Sequence, residues 1–482
     1  MIQVRLSILL VAILAILPAG LADASTRASV VNVQVSHDSF KAHSEPALAQ
    51  NPRNPLNLIA GSKFFTNPAK YRFKIGTYYS LDGGRTWHDD GLLPGFGNYS
   101  IVSDVSLAFS ASGTAYVSVL AEAGKTSGIF VSRSTDGGKT WSQPVTVFLD
   151  TTGRTFSDKP WIAVDRTNRA TAGNVYVAWN LDGPSQKDAD AGNEGAAMPE
   201  AIAHPEQTVP QPTGLVIARS TDGGRTFSPP QVLEPFTADE FPLGAIPAVG
   251  PKGQVYVVWC IIGSNGRANG QNFVMSGNGG KSFTVPRTIT SVDGLPDHLP
   301  NSTFRNLSMP SFAVSPRDGS MIVTWSDMRR GNADIYETSS TDGGRTWSAP
   351  IRVNHDSPLD GKDQFQPEVA VAPNGTYYIS WFDRRWDPNN RLVDVAIARS
   401  TDDGTIFGPN IRVTNTSWNP AIDAPVPNKG DTFIGDYQAL IADNSGAYPL
   451  WNDTQDGKSQ QIRMANVTTR VFVAALKARR HS

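Results

Sequence analysis

One octet constrains the fold of this chain more than any other feature. Ser80-Leu81-Asp82-Gly83-Gly84-Arg85-Thr86-Trp87 recurs as Ser134 to Trp141, Ser220 to Phe227 and Ser340 to Trp347. Weaker copies stand at Ser276 to Phe283, where Asn278 replaces the Asp, and at Ser400 to Phe407, where Asp403 replaces the first Gly. The serines are 54, 86, 56, 64 and 60 residues apart. Near-regular repetition of this kind means one supersecondary unit stacked many times. Within the octet, Asp-Gly-Gly supplies the positive-φ positions of a tight turn. The carboxylate can accept backbone N–H bonds, the Ser and Thr hydroxyls can tie the two sides, and the closing Trp or Phe buries a large apolar surface. A corner present six times is read as structural, because a monomeric enzyme usually needs one site.

Two strand signals precede each corner. Ser311-Phe312-Ala313-Val314 and Met321 to Trp325 flank a Pro-Arg-Asp-Gly turn, and Pro367 to Val371 and Tyr377 to Trp381 flank a Pro-Asn-Gly turn. Similar pairs lie around Leu107/Tyr116, Ile162/Val175, Ala245/Val255 and Ala47/Leu58. With the strands on either side of the corner, each unit has the four strands of a propeller blade. Gly435 to Ile441 and Ala447 to Trp451 repeat the inner pair a seventh time with no corner after them. The missing fourth strand is found at the other end of the chain. Val31 to Ser39 matches Ile351 to Ser357, which follows a corner, down to a shared His-Asp-Ser. The expectation is therefore an all-β, seven-bladed β-propeller, closed by the N-terminal strand; six blades is the alternative.

Composition narrows the partners. Lys and Arg number 42 against 44 Asp and Glu, a formal charge of −2, which excludes a general basic footprint for nucleic acid. Cys260 is the single cysteine, so neither an intrachain disulfide nor a zinc site built on cysteine pairs is available. Residues 1–24 read as a signal peptide: Arg5, an apolar run from Leu6 to Leu17, and the small-x-small pattern Ala22-Asp23-Ala24. The expectation is a secreted or periplasmic monomer without a cofactor, a metal, or any membrane association after cleavage. Residues 28–470 form the propeller, with a long loop insertion near 181–214 and a basic C-terminal tail over 471–482.

A Ser-x-Asp-x-Gly-x-Thr-Trp corner repeated in an exported propeller resembles the Asp-box repeat of the sialidase (neuraminidase) superfamily. That resemblance implies a glycoside hydrolase acting on glycans, with exo-α-sialidase as the finer reading; a non-catalytic glycan- or protein-binding propeller and a polysaccharide lyase are the alternatives. It also implies a tyrosine nucleophile activated by a carboxylate, an acid for the leaving group, and arginines that grip the sugar's carboxylate.

Chain direction says where such a site would lie. The corners follow third strands, so the opposite face carries the residues that lead into first strands and leave second strands. Tyr437 is the candidate nucleophile, and Asp104 or Asp158 the acid. Arg305, Arg329, Arg384, Arg385, Asp436 and Glu45 are the candidate substrate-binding residues. The first blade departs from the family's Phe/Tyr-Arg-Ile-Pro: it reads Ala42-His43-Ser44-Glu45-Pro46, with Glu45 at the arginine position.

Overall fold

The computed structural model describes residues 30–67, 72–183, 213–425 and 432–479. These form seven antiparallel sheets around a common axis. Blade 1 runs Lys41–Gln50, Leu58–Asn67, Arg72–Ser80 and His88–Leu92, from the axis outward, and blades 2 to 6 repeat the order. Blade 7 takes Ala439–Asp443, Gly446–Asp453 and Gln461–Ala465 from the end of the chain and Asn32–Gln34 from its start. Asn32, Val33 and Gln34 pair antiparallel with Ala465, Met464 and Arg463, as the matched His-Asp-Ser segments predict. The proposed leader and most of the 181–214 insertion lie outside the described residues.

The corners are built as the octet implies. In the first, Ser80 Oγ donates to Asp82 Oδ1 at 2.8 Å and accepts from Gly84 N at 2.9 Å. Asp82 Oδ1 also accepts from Arg85 N and Thr86 N, while Thr86 Oγ1 donates to Oδ2 at 2.7 Å. Asn278 reproduces the pattern with its amide oxygen, accepting from Lys281 N and Ser282 N at 3.1 Å. Asp403 adopts the left-handed φ of 56° that a glycine would otherwise take, a conformation Asp tolerates better than most residues. The second glycine of each corner has a further duty, because it rests on the preceding blade. A Cβ on Gly138 (φ +92°) would stand 2.4 Å from Ile59 of blade 1, and one on Gly84 would strike Met464 of blade 7. Each corner is thus also a joint between blades.

A buried polar cluster secures the ring where its ends meet. His43 lies with Nε2 3.0 Å from Asp38 Oδ1 and Nδ1 3.1 Å from Ser62 Oγ, and Tyr78 donates to Asp38 Oδ2 at 3.0 Å. Asp38 belongs to the segment leaving the closing strand, so the cluster ties that segment to three strands of blade 1. Residues 471–479 of the expected tail are helical: Thr469–Arg479 forms a helix whose Phe472 is buried 5.4 Å from Tyr378 of blade 6, with Arg399 over its ring.

Against its slight burial, the hydrogen bonds from Thr86 and Ser80 hold Asp82 down to about 2, below its ordinary 3.8. The carboxylate form is the one the corner binds, so the stabilisation is complete above pH 4 or so and is lost as pH falls toward 2. The melting temperature should drop steeply across that window. Asp136→Ala, which removes a full set of corner hydrogen bonds, should cost about 1–2 kcal/mol in urea unfolding. A flat acid profile together with an unchanged Asp136→Ala variant would show that the corners carry no stability.

Candidate active site

The innermost strands do not run straight. Pairing with their neighbours slips between Ser44 and Ala47, Ser103 and Ser106, Asp158 and Trp161, Leu243 and Ile246, and Phe365 and Glu368. These are β-bulges at one height in five blades. In four of them the bulge holds a non-glycine residue with positive φ: Glu45 (52°), Asp104 (56°), Lys159 (52°) and Gln366 (49°). Glu45, Lys159 and Gln366 each precede a proline, whose missing N–H leaves no donor stranded at the slip. Backbone held in this sparsely populated region is characteristic of functional sites. Its effect is to turn successive polar side chains toward the axis on the face opposite the corners.

There they meet. Lys159 of blade 3 reaches across to Asp436, which leads into blade 7, with Nζ 2.7 Å from Oδ2. Arg305, on the segment leading into blade 5, donates through Nε to Asp436 Oδ1 at 2.8 Å. Glu45 pairs with Lys63 at 2.6 Å and accepts from Asp436 N at 3.2 Å. Asp104 accepts from Lys159 N at 3.1 Å and from Ser103 Oγ at 2.8 Å. Gln366 donates to Gly435 O at 2.7 Å. Tyr437 is buried, its ring 5.1 Å from that of half-buried Trp161. The two line a cleft at the axis with Ile246, Met309 and Glu368, roomy enough for about one water.

The carboxyl groups are pushed apart in acidity. Burial opposes ionisation of Asp436, but Arg305 and Lys159 outweigh it and hold the group far below the ordinary range. Asp104, equally buried, is kept low by Lys159, Lys63 and a hydrogen bond from Asp158. Asp158 carries the proton of that bond: burial and the charge of Asp104 push it up to about 7. Burial also raises Glu45, with Lys63 offsetting only part of the effect. Glu368, hydrogen-bonded to Ser311 Oγ at 2.8 Å, is pushed up to about 8 by burial. The phenol of Tyr437 is raised by burial and then by Glu45, Asp104 and Asp436. Neighbouring carboxyls held in opposite protonation states can give and take a proton at near-neutral pH.

Of the residues singled out from sequence, Glu45, Asp104, Asp158, Arg305, Asp436 and Tyr437 converge here. Arg329, Arg384 and Arg385 do not join them. Arg329 closes on Asp327, which also accepts from Trp325 Nε1 at 2.9 Å. Arg385 repeats this with Asp383 and Trp381, as Arg463 does with Asp453 and Trp451. These Trp–Asp–Arg triplets are a structural repeat of blades 5, 6 and 7. Arg384 is fully buried between Phe304 and Phe365 and donates to Pro300 O at 3.0 Å. The expected wall of arginines therefore reduces to Arg305, supplemented by two lysines. Neither lysine is marked by a motif: Lys63 lies within a second strand and Lys159 in the first strand of blade 3. Among the described residues no group of three or more His, Cys, Asp or Glu is arranged to hold a metal ion.

The model of the BNR/Asp-box repeat matches residues 78–89, the end of a third strand and the first corner. This chain is an Asp-box β-propeller. No curated protein sequence matches it. Solved structures similar to the propeller include a Hadza microbial sialidase, 16% identical over 85% of this chain and 76% of that one, with a TM-score of 0.48. A Penicillium chrysogenum α-L-arabinanase is 14% identical over 92% of this chain and 99% of that one, with a TM-score of 0.44. A Trypanosoma rangeli sialidase is 11% identical over 95% and 60%, with a TM-score of 0.43.

The structural reading of the triplets can be measured in this propeller. Arg385→Gln leaves the buried Asp383 without its charged partner and should cost about 1–3 kcal/mol in urea unfolding. An unfolding midpoint equal to that of the parent protein would return Arg385 to the candidates for binding.

Proposed function

We propose that this propeller is a glycoside hydrolase whose reaction takes place at the mouth opposite the corners. The observation that carries the reading is the split between Asp104 and Asp158, one held ionised and the other protonated to about pH 7. Asp158 is the half-buried member of the pair, so it is the proton donor to the leaving-group oxygen. Tyr437 is the nucleophile. Glu45, the carboxylate whose charge acts most strongly on that phenol, takes its proton as the bond to the sugar forms. Water then releases the sugar, with Asp158 now acting as base. The Asp-box resemblance supports a sialoside among the substrates to try, and the leader-like start of the chain supports export.

A panel of aryl glycosides, sialosides included, tests this. Asp158→Asn should lower kcat roughly 10²–10⁴-fold on a poor leaving group, the span of lost general acid catalysis, and far less on a dinitrophenyl glycoside. Tyr437→Phe should lose turnover on both without a lower melting temperature. Because Asp158 must be protonated, kcat/KM should fall as pH rises through about 7. No turnover of any member by the parent protein would overturn the hydrolase reading and favour a binding propeller.

A further inference from the structure

The charges at the mouth speak to the kind of sugar it accepts. Its cations are Lys63, Lys159 and Arg305, and each is bound to a carboxylate already in place: Lys63 to Glu45, Lys159 and Arg305 to Asp436. Lys63 is further enclosed by Phe73 and Phe433, its ammonium 4.8 and 4.4 Å from their ring centres. Four carboxyl groups face these three cations, and Asp158 holds a proton up to about pH 7. Three positive charges then meet three negative ones. An anionic sugar entering this mouth would bring a charge with no counterpart, and it could gain one only by displacing Glu45 or Asp436 from a buried ion pair. Breaking such a pair leaves a buried carboxylate uncompensated, which is among the costlier changes a site can undergo.

The remaining surface has the opposite character. Trp161 lies half-buried beside Tyr437, and Ile246, Leu307, Met309 and Pro310 line the narrow cleft beside the two rings. Indole and aliphatic surface suits the C–H face of a sugar ring, with a few polar groups fixing its orientation. Gln366 lines the same cleft, and half-buried Asp158 stands at the bulge before Trp161, polar groups suited to a sugar's hydroxyls.

We propose that the mouth takes an uncharged sugar ring, seated on the exposed part of Trp161 above that cleft, and discriminates against sugars that carry a carboxylate. This rests on the hydrolase reading for its substrate but on the ion pairs for its sign. The test compares matched aryl glycosides of neutral pentoses and hexoses with an aryl sialoside and an aryl glucuronide on the parent protein. The best neutral glycoside should exceed both anionic ones in kcat/KM by roughly 10²–10³-fold or more, the scale of a broken buried pair. Trp161→Ala should raise the KM of that glycoside roughly tenfold or more, the loss of one aromatic platform. Asp436→Asn, which releases Lys159 and Arg305, should narrow the gap between neutral and anionic substrates. A sialoside or glucuronide turned over faster than every neutral member would overturn the proposal while leaving the hydrolase standing. Should no glycoside be cleaved, the hydrolase reading fails, and saturation-transfer NMR with neutral monosaccharides and N-acetylneuraminic acid decides the proposal. Binding of the neutral sugars alone upholds it; binding of the acid, or of neither, overturns it.

Discussion

Three residues near the start of the chain, Asn32 to Gln34, lie against Gln461 to Ala465 near its end, and the ring depends on that seam. Every other blade is completed by neighbouring sequence, so its pairing is local. Blade 7 alone needs both ends at once, and without the closing strand the third strand Gln461–Ala465 would present a bare edge. The seam is reinforced on both sides. Val35 is buried with Leu58 and Tyr78 in the cluster between blades 7 and 1, and Asp38 joins the His43–Ser62–Tyr78 hydrogen bonds. Glu45, Lys63 and Asp436 straddle the same junction. The position of Asp436 relative to Glu45, and so half of the candidate site, is set by whether the seam is shut.

The parts of this architecture that are legible in the amino-acid sequence are those that repeat. Corners and inner-strand pairs are local and periodic, so seven blades can be counted along the chain, and the match of Val31–Ser39 to Ile351–Ser357 identifies the closing strand. Convergence of Glu45, Asp104, Asp158, Arg305, Asp436 and Tyr437 follows from strand direction alone. Partnership does not. Arg329 and Arg385 stand at the expected ends of second strands, but their guanidinium groups fold back onto Asp327 and Asp383. The signal is present, since Trp-x-Asp-x-Arg occurs in both blades, and a motif that recurs is better read as structure than as a site. Lys63 has no such marker: it is one residue in a long second strand, and only the register opposite Ser44 brings it to Glu45. The helix at 469–479 is legible in principle, because Val471, Phe472 and Ala475 fall on one face and pack on one cluster.

The mouth shows how a repeating scaffold makes something unrepeated. Most blades share the corner and the bulge, yet the bulge residues differ: glutamate, aspartate, lysine and glutamine at Glu45, Asp104, Lys159 and Gln366. Symmetry of backbone thus delivers an asymmetric set of charges to one small volume. Within it, Lys159 is the keystone, since it faces Asp436, Asp158, Asp104 and Glu45 together and its charge is favoured despite complete burial. That one ammonium acts on all four carboxyls, alongside burial, Arg305 at Asp436 and Lys63 at Glu45.

The contact between Lys159 and Asp436 spans 277 residues of sequence, and this bears on when the molecule becomes competent. Early blades can gain their local pairings as soon as they leave the ribosome. The charged mouth cannot form until the last blade has been delivered and the first strand has returned to it. Contacts of such long sequence separation are the slow ones in folding. Until then the early half carries Glu45, Asp104 and Lys159 without their partner, a collection of unmatched charges at an open rim. Assembly of the mouth is therefore a late event in the life of each chain, and a molecule interrupted before residue 436 would have most of its blades and an incomplete mouth.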